Sequence, residues 1–147
     1  MCGRYAAVLP ADAMAELYGL LNSIDMPPRY NIQPTQPIPV IWQEQGRRTV
    51  QLVRWGFVPG WVKDPREFSL LINARAETLE TRRPFRDAFT ATRCIVPADG
   101  FYEWQTLGKL KFPWYFSMRD ESPIALAGLW EEWRGPDGVA GGRCDSC

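Results

Sequence analysis

The stretch Cys94-Ile95-Val96-Pro97-Ala98-Asp99-Gly100-Phe101-Tyr102-Glu103-Trp104 carries most of two strand-like runs, residues 93–97 and 101–105, with a glycine in the connection between them. Similar runs lie at residues 112–118 and 124–130, and the runs 38–43 and 49–55 predict a hairpin around Gln45-Gly46. Many short strands punctuated by proline and glycine are typical of antiparallel sheets that curl into barrels. The sequence therefore predicts one α+β domain built on a curled, barrel-like, mostly antiparallel sheet.

Two short helices accompany these strands. Asp12 is expected to cap the first, whose apolar residues recur at helical spacing: Met14, Leu17, Tyr18 and Leu21. The second is predicted over residues 84–89, with Pro84 in its first turn, where a missing N–H does no harm.

Composition excludes several classes of chemistry. The chain has 147 residues, a formal net charge of zero and no histidine. Catalysis by Ser-His-Asp or Cys-His arrangements and histidine-ligated metals are therefore excluded, and any phosphate-binding surface must be local. Because the sequence has neither a membrane-spanning apolar run nor a signal-peptide pattern, we expect a cytoplasmic protein, nucleoid-associated if bacterial, with no membrane contact.

Four cysteines are present: Cys2, Cys94, Cys144 and Cys147. The last two have the CxxC spacing, but they follow a glycine-rich stretch and do not open a helix after a strand, as a thioredoxin-type site would. A zinc site would need two further ligands. We expect no disulfide framework, no metal and no cofactor.

The N-terminal Cys2 offers chemistry that an internal cysteine lacks. If Met1 is removed, Cys2 carries a free α-amine and a thiol on adjacent carbons, with unperturbed pKa values of roughly 7.7–8.0 and 8.5. Such a 1,2-aminothiol condenses with an aldehyde to an imine, and the thiolate then closes a thiazolidine ring on the same carbon. The dipeptide Met-Cys alone is also an ordinary beginning for a chain.

Two further runs place polar groups in an informative way. Residues 70–76 predict a strand, and its alternation puts Asn73, Arg75 and Glu77 on one face, a pattern that by itself favours a half-buried strand with its polar side towards solvent. Glu103 lies among three aromatic residues, where burial would raise its pKa and suit it to acid–base work. An exposed glutamate beside half-buried rings fits the same pattern.

Aromatic and basic residues predict both a core and a nucleic-acid surface. Most of the seven tryptophans lie in strand-like runs and are predicted to be core. Trp61 instead lies in a loop near basic residues, where a ring can stack on an unpaired base. The arginines 82, 83, 86 and 93 form a local basic cluster suited to phosphates, or a solvated charged helix.

Six motifs follow one another along the chain: CGRY at 2–5, RYNIQPT at 29–35, WGFVP at 55–59, INARAET at 72–78, CIVPADGFYEW at 94–104 and AGLWE at 127–131. In these motifs and their order the chain strongly resembles the SOS-response-associated peptidase family, the abasic-site processing proteins. The resemblance covers about residues 2–134.

The resemblance implies a monomeric protein that acts on abasic sites in single-stranded DNA in the DNA damage response. Cys2 would form a stable, lyase-type thiazolidine cross-link with the ring-opened sugar after Met1 is removed, by the same site or by a general methionine aminopeptidase. Asn73 would orient the sugar or the amine, and Glu103 would shuttle protons. The residues implied to contact DNA are Arg4, Arg75 and Arg83, and Trp61 joins them as the loop aromatic described above.

The end of the chain departs from the resemblance. Members of the family continue past the AGLWE motif with further strands and an active-site histidine, whereas this sequence runs into GPDGVAGGRCDSC at 135–147. We therefore assign residues 1–134 to an incomplete domain and residues 135–147 to an atypical glycine-rich tail, and we expect impaired activity. Two alternatives remain: a non-catalytic single-stranded DNA-binding module or inactive fragment, and an N-terminal-nucleophile amidohydrolase.

Overall fold

The computed structural model describes residues 2–134 and 140–146, the latter as backbone only. It contains two helices and nine strands in these residues. The helices are α1 (Ala11–Tyr18) and α2 (Arg83–Ala91). The strands are β1 (Arg4–Ala7), β2 (Arg29–Ile32), β3 (Pro37–Glu44), β4 (Arg47–Trp55), β5 (Arg93–Ala98), β6 (Gly100–Leu107), β7 (Leu110–Phe116), β8 (Ile124–Arg134) and β9 (Ala140–Ser146).

Five strands close into a barrel in the order β3-β4-β9-β8-β5. The predicted β3–β4 hairpin is confirmed, and its turn residues Gln45 and Gly46 both have positive φ angles, 50° and 79°, as a type I′ turn requires. Only β4 and β9 run parallel among the pairs of this barrel. The curled, barrel-like sheet that the sequence predicts is therefore confirmed. A closed barrel leaves no free strand edges.

The other four strands form an open antiparallel sheet in the order β2-β1-β6-β7. Strand β1 lies in its middle, with Arg4 opposite Tyr102 and Tyr5 opposite Phe101. Strands β6 and β7 form a hairpin whose turn begins at Gly108, at a φ of 62° that glycine adopts without strain. This sheet brings the N-terminus of the chain beside β6.

The main core lies where the barrel meets this sheet. Trp55, only 1% exposed, packs edge-on against Tyr5 at 5.5 Å between ring centroids. Their cluster contains buried residues from both sheets: Ala7, Ile32, Ile38, Val40, Val53, Cys94, Val96 and Ala98. Full burial of each large aliphatic or aromatic side chain contributes about 1.5–3 kcal/mol, so this cluster fixes the two sheets against each other.

Both predicted helices are confirmed, with one correction at the first. Pro10 occupies the position before α1, and Asp12 lies inside the first turn, where its Oδ1 accepts a hydrogen bond from the N–H of Ala13 at 2.9 Å. Asp12 is therefore not the capping residue. Met14 is buried against the barrel, whereas Leu17 and Leu21 are exposed. Pro84 lies in the first turn of α2, as expected.

The predicted strand at residues 70–76 is wrong. Leu71 makes an isolated bridge to Phe57, and the chain then turns into a short 3-10 helix at Ala76–Thr78. The core prediction for tryptophans also fails at two positions, because Trp104 and Trp114 are exposed. Strands β1 and β2 were not predicted, since each has only four residues.

Part of the segment assigned to a glycine-rich tail forms β9, between β4 and β8. The interpretation of Cys144 and Cys147 as a CxxC pair lies outside the residues whose side chains are described. Neither helix in the described part of the chain is long and apolar enough to cross a membrane.

Candidate active site

Cys2 lies immediately before β1, at the junction of the sheet and the barrel. Its side chain is half-buried and packs against the main core cluster. Its Sγ donates a hydrogen bond to the backbone carbonyl of Arg4 at 3.2 Å. The thiol is thus held in one place without being sealed from solvent.

Asn73 reaches Cys2 from the irregular segment between β4 and α2. Its Nδ2 donates a hydrogen bond to the Cys2 carbonyl oxygen at 2.8 Å. The segment is itself fixed to the barrel, because Trp55 Nε1 donates to the Ile72 carbonyl at 3.2 Å and the Phe57 N–H donates to the Leu71 carbonyl at 2.7 Å. Asn73 therefore positions the backbone of Cys2 from a rigid support.

Glu103 approaches the same point from β6. Its neighbour Tyr102 pairs with Arg4 across the sheet, which brings Glu103 beside the start of β1. The carboxylate is half-buried and lies close enough to Cys2 to act on its titration. Of the residues flanking it, Phe101 and Tyr102 are half-buried and Trp104 is exposed, so one side of the site is open.

The surroundings make the Cys2 thiol a weaker acid than usual. Burial raises its pKa, the negative charge of Glu103 raises it further, and backbone hydrogen bonding at Arg4 lowers it in part. The thiol therefore holds its proton at neutral pH, and a reaction that needs the thiolate needs a nearby proton acceptor. Glu103 carries a carboxylate whose charge acts on this thiol.

Two of the predicted DNA-binding arginines flank this site along the chain. Arg4 is half-buried, and its Nη1 donates a hydrogen bond to Oδ1 of Asn31 in β2 at 2.9 Å. Arg75 is exposed two residues after Asn73, and its carbonyl accepts a hydrogen bond from the Thr78 N–H at 3.0 Å. Both guanidinium groups can meet an anionic ligand from solvent.

Trp61 and Arg83 form a second cluster. The guanidinium of Arg83, the first residue of α2, lies 4.5 Å from the centroid of the Trp61 ring. Phe68 packs edge-on against the same indole at 5.8 Å between centroids. Trp61 nevertheless remains 47% exposed, so part of the indole on which Arg83 packs is accessible for stacking.

Two hydrogen bonds hold the loop that carries Trp61 against β8, one at the residue before the tryptophan and one at the residue after it. The Gly60 N–H donates to Oε1 of Glu131 at 2.8 Å, and Nε1 of Trp133 donates to the Val62 carbonyl at 2.7 Å. Burial raises the pKa of Glu131, while the bond from Gly60 lowers it in part. This loop is a fixed support for the ring.

The structure brings Cys2, Asn73 and Glu103 together, pairs Trp61 with Arg83 in a separate cluster, and leaves Arg75 exposed between Asn73 and α2.

Asn31, which holds the Arg4 side chain, was missed as a site residue. The signal for it is the RYNIQPT motif, whose asparagine has a role only once β2 is known to pair with β1. No group of three or more metal-ligating side chains occurs in the part of the chain that the structure describes.

Comparison with known proteins gives consistent matches. The family model described as "SOS response associated peptidase (SRAP)" matches residues 1–147. The chain is 37% identical over 142 residues to "Abasic site processing protein YoqW" of Bacillus subtilis, covering 94% of this chain and 63% of the relative. It is 32% identical over 135 residues to "Abasic site processing protein YedK" of Escherichia coli, covering 88% of this chain and 59% of the relative.

Among solved structures, a protein from Bacteroides thetaiotaomicron superposes with a TM-score of 0.86 at 26% identity, covering 98% of this chain and 66% of that one. A phage-related protein from Bordetella bronchiseptica superposes with a TM-score of 0.78 at 27% identity, covering 99% and 68%. The chain thus spans about three fifths of the length of the curated relatives. Because the family model matches residues 1–147 of this chain and the solved structures share its fold, the chain belongs to the SOS response associated peptidase family.

Proposed function

We propose that the chain processes abasic sites in single-stranded DNA by forming a thiazolidine cross-link through Cys2 after Met1 is removed. The observation that carries the proposal is the convergence of Asn73 and Glu103 on Cys2, from two elements far apart in sequence. The relatives named as abasic site processing proteins support the substrate class. The exposed arginines and Trp61 supply the phosphate-binding and stacking groups that single strands require.

The reaction follows from the chemistry of a terminal cysteine. The freed α-amine of Cys2 attacks the aldehyde carbon of the ring-opened sugar, and loss of water gives an imine. The thiolate then adds to the same carbon, so that a C–S bond forms, the C=N double bond becomes a single bond and the nitrogen takes up a proton. Glu103 accepts protons from the amine and then from the thiol, and it returns them to the hydroxyl leaving group and to the ring nitrogen.

The other site residues have binding and positioning roles in this proposal. Asn73 holds the Cys2 carbonyl, which fixes the direction in which the amine and the thiol point. Arg4 and Arg75 bind phosphates next to the lesion, and Trp61 with Arg83 holds a nucleotide further away. No histidine takes part, since the chain contains none.

The test is intact-mass analysis after incubation with an oligonucleotide that carries one abasic site. We expect loss of Met1 and a denaturation-resistant adduct equal to protein plus oligonucleotide minus one water. Cys2→Ala and Cys2→Ser should both abolish the denaturation-resistant adduct, because the ring needs the sulfur. Both variants keep the α-amine, so borohydride should still trap an imine. Cys94→Ser is the matched control, because Cys94 is buried in β5 and should not affect the adduct.

Two results would contradict the proposal. Full cross-linking by Cys2→Ala would place the nucleophile elsewhere. Binding of the abasic oligonucleotide by a protein that has lost Met1, without any adduct, would favour a non-catalytic single-stranded DNA-binding module.

A further inference from the structure

The β6–β7 hairpin presents an unusual amount of exposed aromatic surface. All seven residues of β7 are exposed, including Phe112, Trp114, Tyr115 and Phe116. Trp114 alone has 55% of its surface accessible. Contiguous exposed apolar residues on a folded domain usually mark a binding surface.

One face of this hairpin is continuous with the Cys2 site. Glu103 pairs with Trp114 and Gln105 pairs with Phe112, so these four side chains lie on the same face of the sheet. Directly opposed side chains have Cβ atoms about 4.5–5.5 Å apart. The Trp114 side chain therefore lies next to that of Glu103, the carboxylate beside Cys2. A row of two rings, Trp114 and then Phe112, therefore leads outward from the candidate active site.

The Trp114 ring is held in a fixed orientation. Its Nε1 donates a hydrogen bond to Oε1 of Gln105 at 3.1 Å, on the neighbouring strand. The polar edge of the indole is thus satisfied within the sheet, and its flat face remains available. A pre-oriented ring loses little conformational freedom when a flat ligand stacks on it.

The charge of the hairpin favours an anionic partner. Residues 104–119 include Lys109, Lys111 and Arg119 and contain no aspartate or glutamate. Aromatic residues interleaved with basic residues are the pattern by which proteins bind single-stranded nucleic acids. Pro113, in the middle of β7, has no N–H to donate to an added strand, which disfavours edge pairing with another polypeptide.

We propose that the Trp114–Phe112 row is a stacking platform for unpaired nucleotides that flank the lesion on one side. This inference rests on the proposed function only for the position of the lesion at Cys2. The bases stack on the two rings, and Lys109, in the turn of the hairpin, contacts the backbone phosphates. The platform lengthens the binding site beyond the nucleotides next to Cys2.

The experiment compares two abasic oligonucleotides, one with a single nucleotide on each side of the lesion and one with six on each side, together with an intact strand of the longer length. The Trp114→Ala/Phe112→Ala variant should bind both longer strands about tenfold or more weakly, since stacking contributes about 1–3 kcal/mol per base. Cross-linking to the short oligonucleotide should not change. Trp114→Phe should retain most of the affinity, whereas Trp114→Leu, which is apolar but not aromatic, should not.

Leu52→Ala is the control, because Leu52 is an exposed apolar residue of β4 in the barrel. If the double variant binds the long strands as tightly as the wild type does, the platform is wrong, and cross-linking to the short oligonucleotide reports on the proposed function separately. If no strand cross-links but the intact strand loses affinity in the double variant, the platform stands and the proposed function fails. If the wild type sediments as a dimer that the double variant dissociates, with strand affinity unchanged, the face is a self-association surface and the inference is overturned.

Discussion

Strands β3 and β7 are similar in composition and opposite in environment. PIPVIWQE in β3 and LKFPWYF in β7 are both short apolar runs that contain proline and tryptophan. Ile38, Val40 and Ile41 in β3 are almost completely buried, whereas every residue of β7 is exposed. The difference comes from position, because β3 lies between β4 and β5 in the closed barrel and β7 is an outer strand of the open sheet.

This contrast separates two functions of the fold. The barrel buries most of the residues that stabilise the chain, and the β6–β7 hairpin carries aromatic surface that remains exposed to solvent. Cys2 lies where the two meet, since it packs against the barrel core while Glu103 reaches it from the hairpin. Changes in the barrel core should therefore alter stability, and changes at the exposed rings of the hairpin and at Glu103 should alter binding or reactivity.

The largest expected effect is at Trp55 in the barrel. Trp55→Ala removes a buried ring that packs on Tyr5 and supports Ile72, so we expect a loss of about 3–5 kcal/mol in the free energy of unfolding. Trp114→Ala, on the hairpin, should change it by about 0.5 kcal/mol or less. Urea denaturation measures both, with Trp55→Phe as a milder variant if Trp55→Ala fails to fold. Equal losses at the two positions would contradict the division between barrel and hairpin.

The next effect is on reactivity and concerns Glu103. Glu103→Gln should slow cross-linking by about 10²-fold or more, because it removes the proton acceptor. The same change removes a negative charge that raises the pKa of the Cys2 thiol, so alkylation of Cys2 by iodoacetamide at neutral pH should become faster. The two rates, measured by intact mass and by peptide mapping, should therefore move in opposite directions.

A general loss of structure would not produce this pair of results for Glu103→Gln. Matched measurements on Gln105→Glu, two residues further along the same face, should leave alkylation of Cys2 closer to the wild-type rate because the added charge lies further away. If Glu103→Gln cross-links as fast as the wild type, the carboxylate is structural and another group moves the protons.

The sequence predicted most of the barrel and the hairpin but not their environments. The β3–β4 turn was predictable because Gln45-Gly46 has its own conformational preference, and β5 to β8 because their apolar runs are long. The strand at 70–76 was wrong because its alternation is only local, and the tertiary hydrogen bonds at Leu71 and Ile72 override it. The exposure of Trp104 and Trp114 could not be predicted, since an apolar run does not specify what packs on it.

The candidate site was predictable only as separate motifs. Residues 2, 73 and 103 were selected by chemistry and by resemblance, but their convergence depends on β1 pairing with β6, and β1 is too short to be recognised by periodicity. The contact between Arg83 and Trp61 joins a helix start to a loop, and no local pattern encodes it. Short-range signals therefore selected the candidate residues, and long-range pairing decided which of them meet.

A smaller effect tests how tightly β7 packs on the start of β6. At Gly100, where β6 begins, an added Cβ would collide with the Tyr115 ring and lie 2.6 Å from the Phe116 carbonyl oxygen. Gly100→Ala should therefore reduce the free energy of unfolding by about 1–3 kcal/mol, as overpacking does. Adding Tyr115→Ala should relieve the part due to the ring and leave the part due to the backbone, which urea denaturation of the single and double variants would separate. An unchanged midpoint in Gly100→Ala would mean that β7 moves away from the start of β6 at little cost.

The smallest effect concerns Glu131 in β8, which accepts a hydrogen bond from the loop that carries Trp61. Because burial raises the Glu131 pKa in the folded chain, the folded state favours the protonated carboxyl, and stability is highest below the unfolded pKa of about 4.3. Stability should then fall as the pH rises through the higher pKa of Glu131 in the folded chain.

Glu131→Gln keeps an oxygen to accept the Gly60 N–H but cannot ionise. Its melting temperature should therefore exceed that of the wild type by at most a few degrees at pH 7 and match it near pH 4. Glu132→Gln is the control, since Glu132 is exposed and pairs with Arg134 at the surface, where ion pairs contribute little. A gap between Glu131→Gln and the wild type that is the same at both pH values would contradict the titration of Glu131 and assign its contribution to the hydrogen bond alone.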